Sequence, residues 1–300
     1  MARNKLNLWS AEQPDKSFCR KLGLRFTAGG HSIFARYADP SMYFDVHPEW
    51  YGLQNGARSP KIDMNVGDNL CFANEDVRRH IGDSLALDLA AGEWKWVDLI
   101  NVWALDNGKY CTCDACKALG NPTDQIMLLA NDCRRAIVAA QKGGTINREV
   151  IVSIPAYHET LDIPSRELPP DFDHEGIVAT FFPIERCFVH SFADPGCAEI
   201  NKPLVEFWDN WTVNPENPFK GPMLVGEYYN VSAYASLAIP ATCTMAVDIP
   251  YFYRSGARLM HFMHIGTGLW GPLSLTNSQF AAMLWYHEID AGIFAQDYFD

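Results

Sequence analysis

Six short runs of nearly unbroken apolar character recur along the chain: "LGLRFTA" (22–28), "VDLINVWAL" (97–105), "VIVSIPAY" (150–157), "GIVATFFP" (176–183), "MLVGEYYN" (223–230) and "RLMHFMH" (258–264). A strand with one wet face alternates apolar and polar residues; a run without alternation is buried on both faces, as in a parallel sheet covered by helices. Between these runs the apolar spacing changes to about 3.6 residues, the period of a helix with one buried face. "NEDVRRHIGDSLALDLAAG" (74–92) opens on an Asn cap followed by two acids and closes on glycine. Residues 122–144 carry the same period and end in a Gly pair, and 196–211 and 277–290 fill two later slots. The stretch 240–255 is ambiguous by periodicity and is read as a further helix.

Strands alternating with helices predict a parallel α/β fold, either a doubly wound sheet or a (β/α)₈ barrel. A doubly wound sheet calls for a Gly-rich phosphate loop after an early strand, and none follows the first run. Polar and aromatic residues instead gather just after the strands: His31, Asp106, Asn107, His158, Glu185, Arg186, Glu227, Asn230 and His264. A TIM barrel builds its active site at that C-terminal end. The expected architecture is therefore TIM-barrel-like, one partial catalytic domain over residues 1–300. "DKSFCRKLG" (15–23) reads as the tail of a helix feeding the first run. The six runs are thus numbered as strands three to eight, with the first two βα units missing or supplied elsewhere. On that count "VDLINVWAL" is the fourth strand and "MLVGEYYN" the seventh.

Composition narrows the partners. Three hundred residues at 48% apolar content suffice for one large core or two modest ones. A formal charge of −12 argues against nucleic acid, which needs a concentrated basic face, and favours neutral or cationic partners. No apolar run approaches the roughly 18 residues of a membrane span. The opening "MARNKLNLWS" has no apolar core of a secretory signal, so the compartment stays open: periplasmic or extracellular if the N-terminus is truncated. Nine cysteines fit disulfides, a metal site or buried thiols.

Several segments, taken in order, are distinctive: "HSIF" (31–34), "YFDVHPEWYGLQNGAR" (43–58), "LCFANEDVRRHI" (70–81), "DNGKYCTCDACKAL" (106–119) and "VGEYYN" (225–230). Together they resemble a bacterial family with a glycoside-hydrolase-like TIM barrel, a domain of unknown function distantly similar to α-glucuronidases. The resemblance implies a carbohydrate-active barrel whose substrate is an oligosaccharide or derives from a polysaccharide. It does not supply the sugar, and fold analogy alone does not supply the chemistry.

Glycoside hydrolysis uses two carboxyl groups, one protonating the leaving oxygen and the other attacking or activating water. In many barrels of this kind these acids follow strands four and seven, which here designates Asp106 and Glu227. An acid ending an apolar strand is costly without a purpose, and burial beside Tyr228 would raise its pKa toward that of a general acid. The alternatives are that Asp106 caps an Asp-Asn-Gly turn and that Glu227 pairs with an arginine. The fourth-strand acid of such barrels is often Glu preceded by Asn. "LDN" departs from this, which leaves open the acid's identity and a part for Glu185.

Around the pair, His31, Asn107, His158, Tyr228, His264 and Trp270 are expected to line a sugar pocket. Trp50 and Tyr51 offer a stacking wall, or else pack within their loop. Arg186 has the fork that recognises a carboxylate and would suit a uronic acid, unless it pairs with Glu185. The histidines, with His190, fall near strand ends without an H-x-H or H-E-x-x-H pair, so hydroxyl recognition is favoured over metal ligation. A non-catalytic glycan-binding barrel and a metal-dependent hydrolase are the other readings of the same residues.

No cofactor is required for this chemistry. Cys111, Cys113 and Cys116 form C-x-C-x₂-C, with Cys71 the best fourth partner. The set admits structural zinc, disulfides or packed thiols, each of which would stiffen the loop carrying Asp106. Cys187 and Cys197 could close a second loop by a disulfide if the chain is secreted.

Overall fold

The computed structural model describes residues 6–12, 15–63, 67–106, 108–229, 239–262 and 271–300. Its main strands are β1 (Leu8–Ser10), β2 (Arg25–Gly30), β5 (Leu99–Val102), β6 (Ile151–Ala156), β7 (Ile177–Phe181), β8 (Met223–Glu227) and β9 (Ala257–Phe262). A two-stranded antiparallel hairpin, β3 (Leu53–Gln54) and β4 (Ala57–Arg58), stands apart. The seven main strands lie in one sheet in their chain order, β1-β2-β5-β6-β7-β8-β9. The β1/β2, β2/β5, β5/β6 and β8/β9 pairings are parallel.

A doubly wound sheet reverses its strand order at a switch point; this sheet does not. Chain-order parallel strands with intervening helices are the topology of the (β/α)₈ class, and the fold is TIM-barrel-like α/β. All six apolar runs became strands. The seventh, β1, escapes a periodicity argument because it spans three residues, Leu8–Ser10, recognisable through its pairing with Arg25–Thr27 of β2. The scheme of six strands is corrected to seven. Because β1 precedes the other six, Asp106 still follows the fourth strand and Glu227 still ends the seventh in the eight-strand numbering.

The helices are α1 (Lys16–Lys21), α2 (Ile33–Tyr37), α3 (Pro40–Tyr43), α4 (Glu75–Ala91), α5 (Asp114–Leu119), α6 (Pro122–Lys142), α7 (Ala198–Thr212), α8 (Thr242–Arg254), α9 (Ser274–Met283) and α10 (Ala291–Phe299). Helix α4 starts where Asn74 accepts a hydrogen bond from the Val77 amide. Helix α6 starts with a capping box in which Asn121 and Asp124 satisfy each other's backbone amides. The ambiguous 240–255 stretch is α8, and the pattern at 277–290 is corrected to α9, which ends at Met283. Among the described residues no helix is long and apolar enough to cross a membrane.

The chain divides into two compact units. The first comprises residues 8–179 with 216–221; its core sets Phe26, Ile100, Val152 and Ile154 of the strands with Ile81, Leu85, Ile126 and Leu129 of α4 and α6, all buried. The second comprises residues 1–7, 180–215 and 222–300, with a core built on Trp208, Phe192, Phe252 and Val225.

Candidate active site

In the second unit, β8 reads Met-Leu-Val-Gly-Glu with every position buried, so Glu227 ends a strand that offers its carboxyl no water. Gly226 is required there, because a Cβ would enter the ring of Phe182. A buried carboxylate must be paired or neutralised. Arg186 donates from Nη1 to Glu227 Oε1 at 2.7 Å, and the same nitrogen stands 2.7 Å from Oδ2 of Asp248 in α8. The Tyr228 amide donates to Glu227 Oε2 at 2.9 Å. Arg186 also donates from Nε to the Cys187 carbonyl and from Nη2 to the His190 carbonyl, at 3.1 and 3.0 Å. Asp248 accepts from the Phe192 amide at 2.6 Å and the Tyr229 hydroxyl at 3.1 Å.

Two carboxyls therefore share one guanidinium in a dry site. Burial is the dominant influence on Glu227 and raises its pKa; Arg186 pulls it down, Asp248 adds a further push, and the outcome is about 7. Asp248 is likewise raised, chiefly by burial. Burial opposes the charge on Arg186, but the two acids more than reverse that effect and hold it protonated. The pair can retain a proton near neutrality, and titration belongs to the pair more than to either residue. His261, paired with Gly226 across β9, is pushed by burial to about 4 and stays neutral.

Two sequence expectations are corrected here. Arg186 does not pair with Glu185, which is exposed. Nor is it placed to fork a substrate carboxylate, since its side chain has no exposed surface and its Nη1, Nε and Nη2 all bond within the protein. Tyr228 is buried with its ring edge toward Phe182, and it meets Glu227 through its backbone.

The first unit holds another group at strand ends. His31, Trp103 and Tyr157 directly follow β2, β5 and β6, and all three are half-buried. The His31 ring lies 5.2 Å from Trp103, edge-on, and 6.4 Å from Tyr157, which lies 3.8 Å from His158. Nδ1 of His31 is 2.6 Å from the Ala104 carbonyl, tying the end of β2 to the loop that carries Asp106. Gly29 permits that approach: its φ is +87° and a Cβ would strike the Asn101 carbonyl. His158 takes φ 48°, a left-handed conformation uncommon outside glycine and typical of constrained functional positions.

Asp106 is half-buried, and its Oδ1 is buried without a hydrogen-bond partner among the described residues. An orphaned buried carboxylate oxygen calls for a reason, and a bound ligand or water supplies one. Asp106 belongs to the first unit and Glu227 to the second.

Trp50 is corrected. It is buried at 5% exposure, stacked on His47 at 4.3 Å with the tilted rings of Tyr43 and His80 at 5.4 and 4.9 Å, so no sugar ring can reach it. Tyr51 is also core, its hydroxyl donating to the Ala38 carbonyl. Asn107, Asn230, His264 and Trp270 lie outside the described residues.

Three residues were missed from sequence. Trp103 and Tyr157 carry the strand-end signal that singled out His31, but each reads as the last residue of an apolar run. Asp248 is an acid within the apolar stretch "TMAVDIPYF" (244–252), the same kind of signal that marks Glu227.

Cys71, Cys111, Cys113 and Cys116 come together, their sulfurs all within 4.8 Å of one another. Cys187, Cys197 and His190 form a smaller group, with Cys187 Sγ 3.4 Å from His190 Nδ1. All nine cysteines are thiols, and no disulfide joins Cys187 to Cys197.

No curated protein matches this chain. Among solved structures it is similar to a glycoside hydrolase family 5 enzyme from Prevotella bryantii B14, at 15% identity and a TM-score of 0.48 over 88% of this chain and 72% of that one. The family described as Domain of unknown function (DUF4838) matches residues 9–300, and the chain belongs to it.

Proposed function

We propose that this protein hydrolyses a glycosidic bond, with Glu227 as the proton donor. The observation that carries the reading is a fully buried carboxyl at the C-terminal end of β8, held at a pKa of about 7. A general acid works best when its pKa lies near the working pH, and strand ends of this fold class are where such groups act. In this mechanism the proton moves from Glu227 to the glycosidic oxygen, and Arg186, 2.7 Å away, stabilises the carboxylate left behind. In the first unit, Asp106 carries an Oδ1 without a partner among the described residues, as a nucleophile or a base toward water would. Also in the first unit, His31, Trp103, Tyr157 and His158 offer ring and hydroxyl contacts suited to a sugar. The substrate class is a neutral oligosaccharide. With Arg186 bonded to Glu227 and Asp248 and a net charge of −12, a uronic acid meets repulsion from the chain as a whole.

A second reading rests on the same residues. Both oxygens of Glu227 are hydrogen-bonded and the side chain has no exposed surface, which suits a structural ion pair inside a non-catalytic glycan-binding barrel. Glu227→Gln separates the two across a panel of 4-nitrophenyl glycosides. The catalytic reading expects turnover to fall by about 10²–10⁴, least for the most activated leaving groups, with sugar binding kept within a few-fold. Equal turnover in the variant removes Glu227 as the proton donor, whereas no turnover by either protein alongside measurable glycan binding favours the binding module.

A further inference from the structure

We infer that Cys71, Cys111, Cys113 and Cys116 form a closed tetrathiolate zinc site that staples the loops after β2 and β5. Zinc bound by four cysteines has Zn–S distances near 2.3 Å, which places the sulfurs of a tetrahedron about 3.8 Å apart. Cys71 Sγ lies 3.8 Å from Cys113 Sγ and 3.6 Å from Cys116 Sγ, and all four sulfurs lie within 4.8 Å of one another. A disulfide needs about 2.05 Å, and these cysteines are thiols. One sulfur from each of four residues, converging from two distant stretches of chain, is the arrangement a metal requires and a pair of disulfides does not.

The surroundings fit a metal thiolate. Amides of Leu53, Ala73 and Cys116 point at Cys111, Cys116 and Cys113 sulfurs, at 3.2, 3.4 and 3.4 Å. Such N–H···S contacts disperse the charge of bound thiolates and orient them. The Arg58 guanidinium reaches Cys71, offsetting the double negative charge of a zinc tetrathiolate. Leu53 and Ala73 pack against the cluster, while Cys71, Cys111 and Cys116 are buried, so no ligand position opens to substrate. A closed set is a structural site, whereas a catalytic zinc keeps one position free. Binding follows Zn²⁺ + 4 RSH → Zn(SR)₄²⁻ + 4 H⁺, with no redox partner involved.

What the metal would hold is irregular chain. Leu70 bridges to Tyr51, and Asp68 to Lys109, two isolated pairings outside the main sheet. The Asn69 amide donates to the Lys109 carbonyl, and Asn69 Oδ1 accepts from the Leu105 amide beside Asp106. Cys71 and Cys111 sit just past these contacts, so one ion would lock the segments around residues 51, 70 and 110 together. Long connections built of short elements outside the main sheet gain order from such a tie.

The test is metal analysis of the full chain, purified under reducing conditions without immobilised metal. About one zinc per chain is expected, released as a mercurial reagent consumes the cluster thiols. Cobalt exchange should give the intense visible bands of a tetrahedral tetrathiolate. Cys113→Ser should lose the zinc, while Cys243→Ser, an exposed cysteine outside the cluster, should keep it. If Cys113→Ser does not fold, the zinc stoichiometry and the cobalt spectrum of the unaltered chain decide. Stoichiometric iron, disulfides among these four cysteines, or a folded chain that takes up no zinc on reconstitution would overturn the inference.

Discussion

Arg186 Nη1 stands 2.7 Å from Glu227 Oε1, and neither side chain has exposed surface. Asp248 closes on the same nitrogen at 2.7 Å, so a single cation holds two acids in the interior. Removing the cation is far more damaging than removing either acid, because both carboxyls would be left buried and unpaired. Arg186→Met is expected to lower unfolding stability by about 3–5 kcal/mol. Urea denaturation of the variant against the parent checks this, and a loss below about 1 kcal/mol would show that water reaches the acids.

The raised pKa of Glu227 makes stability depend on pH with a definite sign. Its ordinary value is 4.5 and its value in the fold about 7, so the native state holds this proton more tightly than the unfolded chain does. The resulting stabilisation is complete below pH 4.5 and is lost as pH rises through 7. Its span is about 3 kcal/mol at 1.36 kcal/mol per pH unit. Glu227→Gln has no such proton, so the stability difference between parent and variant should shrink steadily from pH 4.5 to above pH 7. Parallel curves would mean that Glu227 is ionised throughout, and the proton-donor role would fall with them.

Asp106 offers the opposite combination. Its Oδ1 has no partner among the described residues, so Asp106→Asn removes charge without breaking an observed bond. Stability is expected within about 0.5 kcal/mol of the parent, while turnover of a cleaved glycoside falls by about 10²-fold or more. A large loss of stability with unchanged turnover would return Asp106 to the role of a turn residue.

Two tryptophans should respond differently to truncation. Trp50→Ala empties a buried position and should cost about 3–5 kcal/mol, leaving the sugar affinity of the folded fraction unchanged. Trp103→Ala removes a half-buried ring beside His31 and should weaken sugar binding with a smaller stability loss. Calorimetric titration with oligosaccharides and thermal melts separate the two; matching behaviour would remove Trp103 from the sugar site.

Gly226→Ala drives a methyl group into the Phe182 ring. Overpacking of this kind costs about 1–3 kcal/mol, and Phe182→Leu in the same chain should recover part of it. Additive losses in the double variant, measured by denaturation, would place the strain elsewhere.

Much of the fold was legible because its signals are local. A strand buried on both faces must be apolar throughout, and a helix on a sheet must repeat near 3.6, so β2, β5 to β9, α4 and α6 are visible in the one-dimensional pattern. Caps are local too, and Asn74 and Asn121 mark the starts of α4 and α6. Strand β1 was not legible, since three residues carry no period and only pairing with β2 makes them a strand. Trp50 illustrates the limit for sites: exposed and buried aromatics look alike in a sequence, and contacts from Tyr43, His47 and His80 decide the matter.

The sequence by itself determined that the chain alternates strand and helix, that Glu227 ends an apolar strand, and that four cysteines were available to converge. Each follows from residue type and spacing, which act over a few bonds. Tertiary structure alone decided that Arg186 faces Glu227 and Asp248, across 41 and 62 residues of chain, and not its neighbour Glu185. It also decided that Cys71 meets Cys113 and Cys116, and that Trp103 and Tyr157 join His31 at the strand ends. A buried charge selects its partner by what packing brings within hydrogen-bonding distance, and that depends on the whole arrangement of strands.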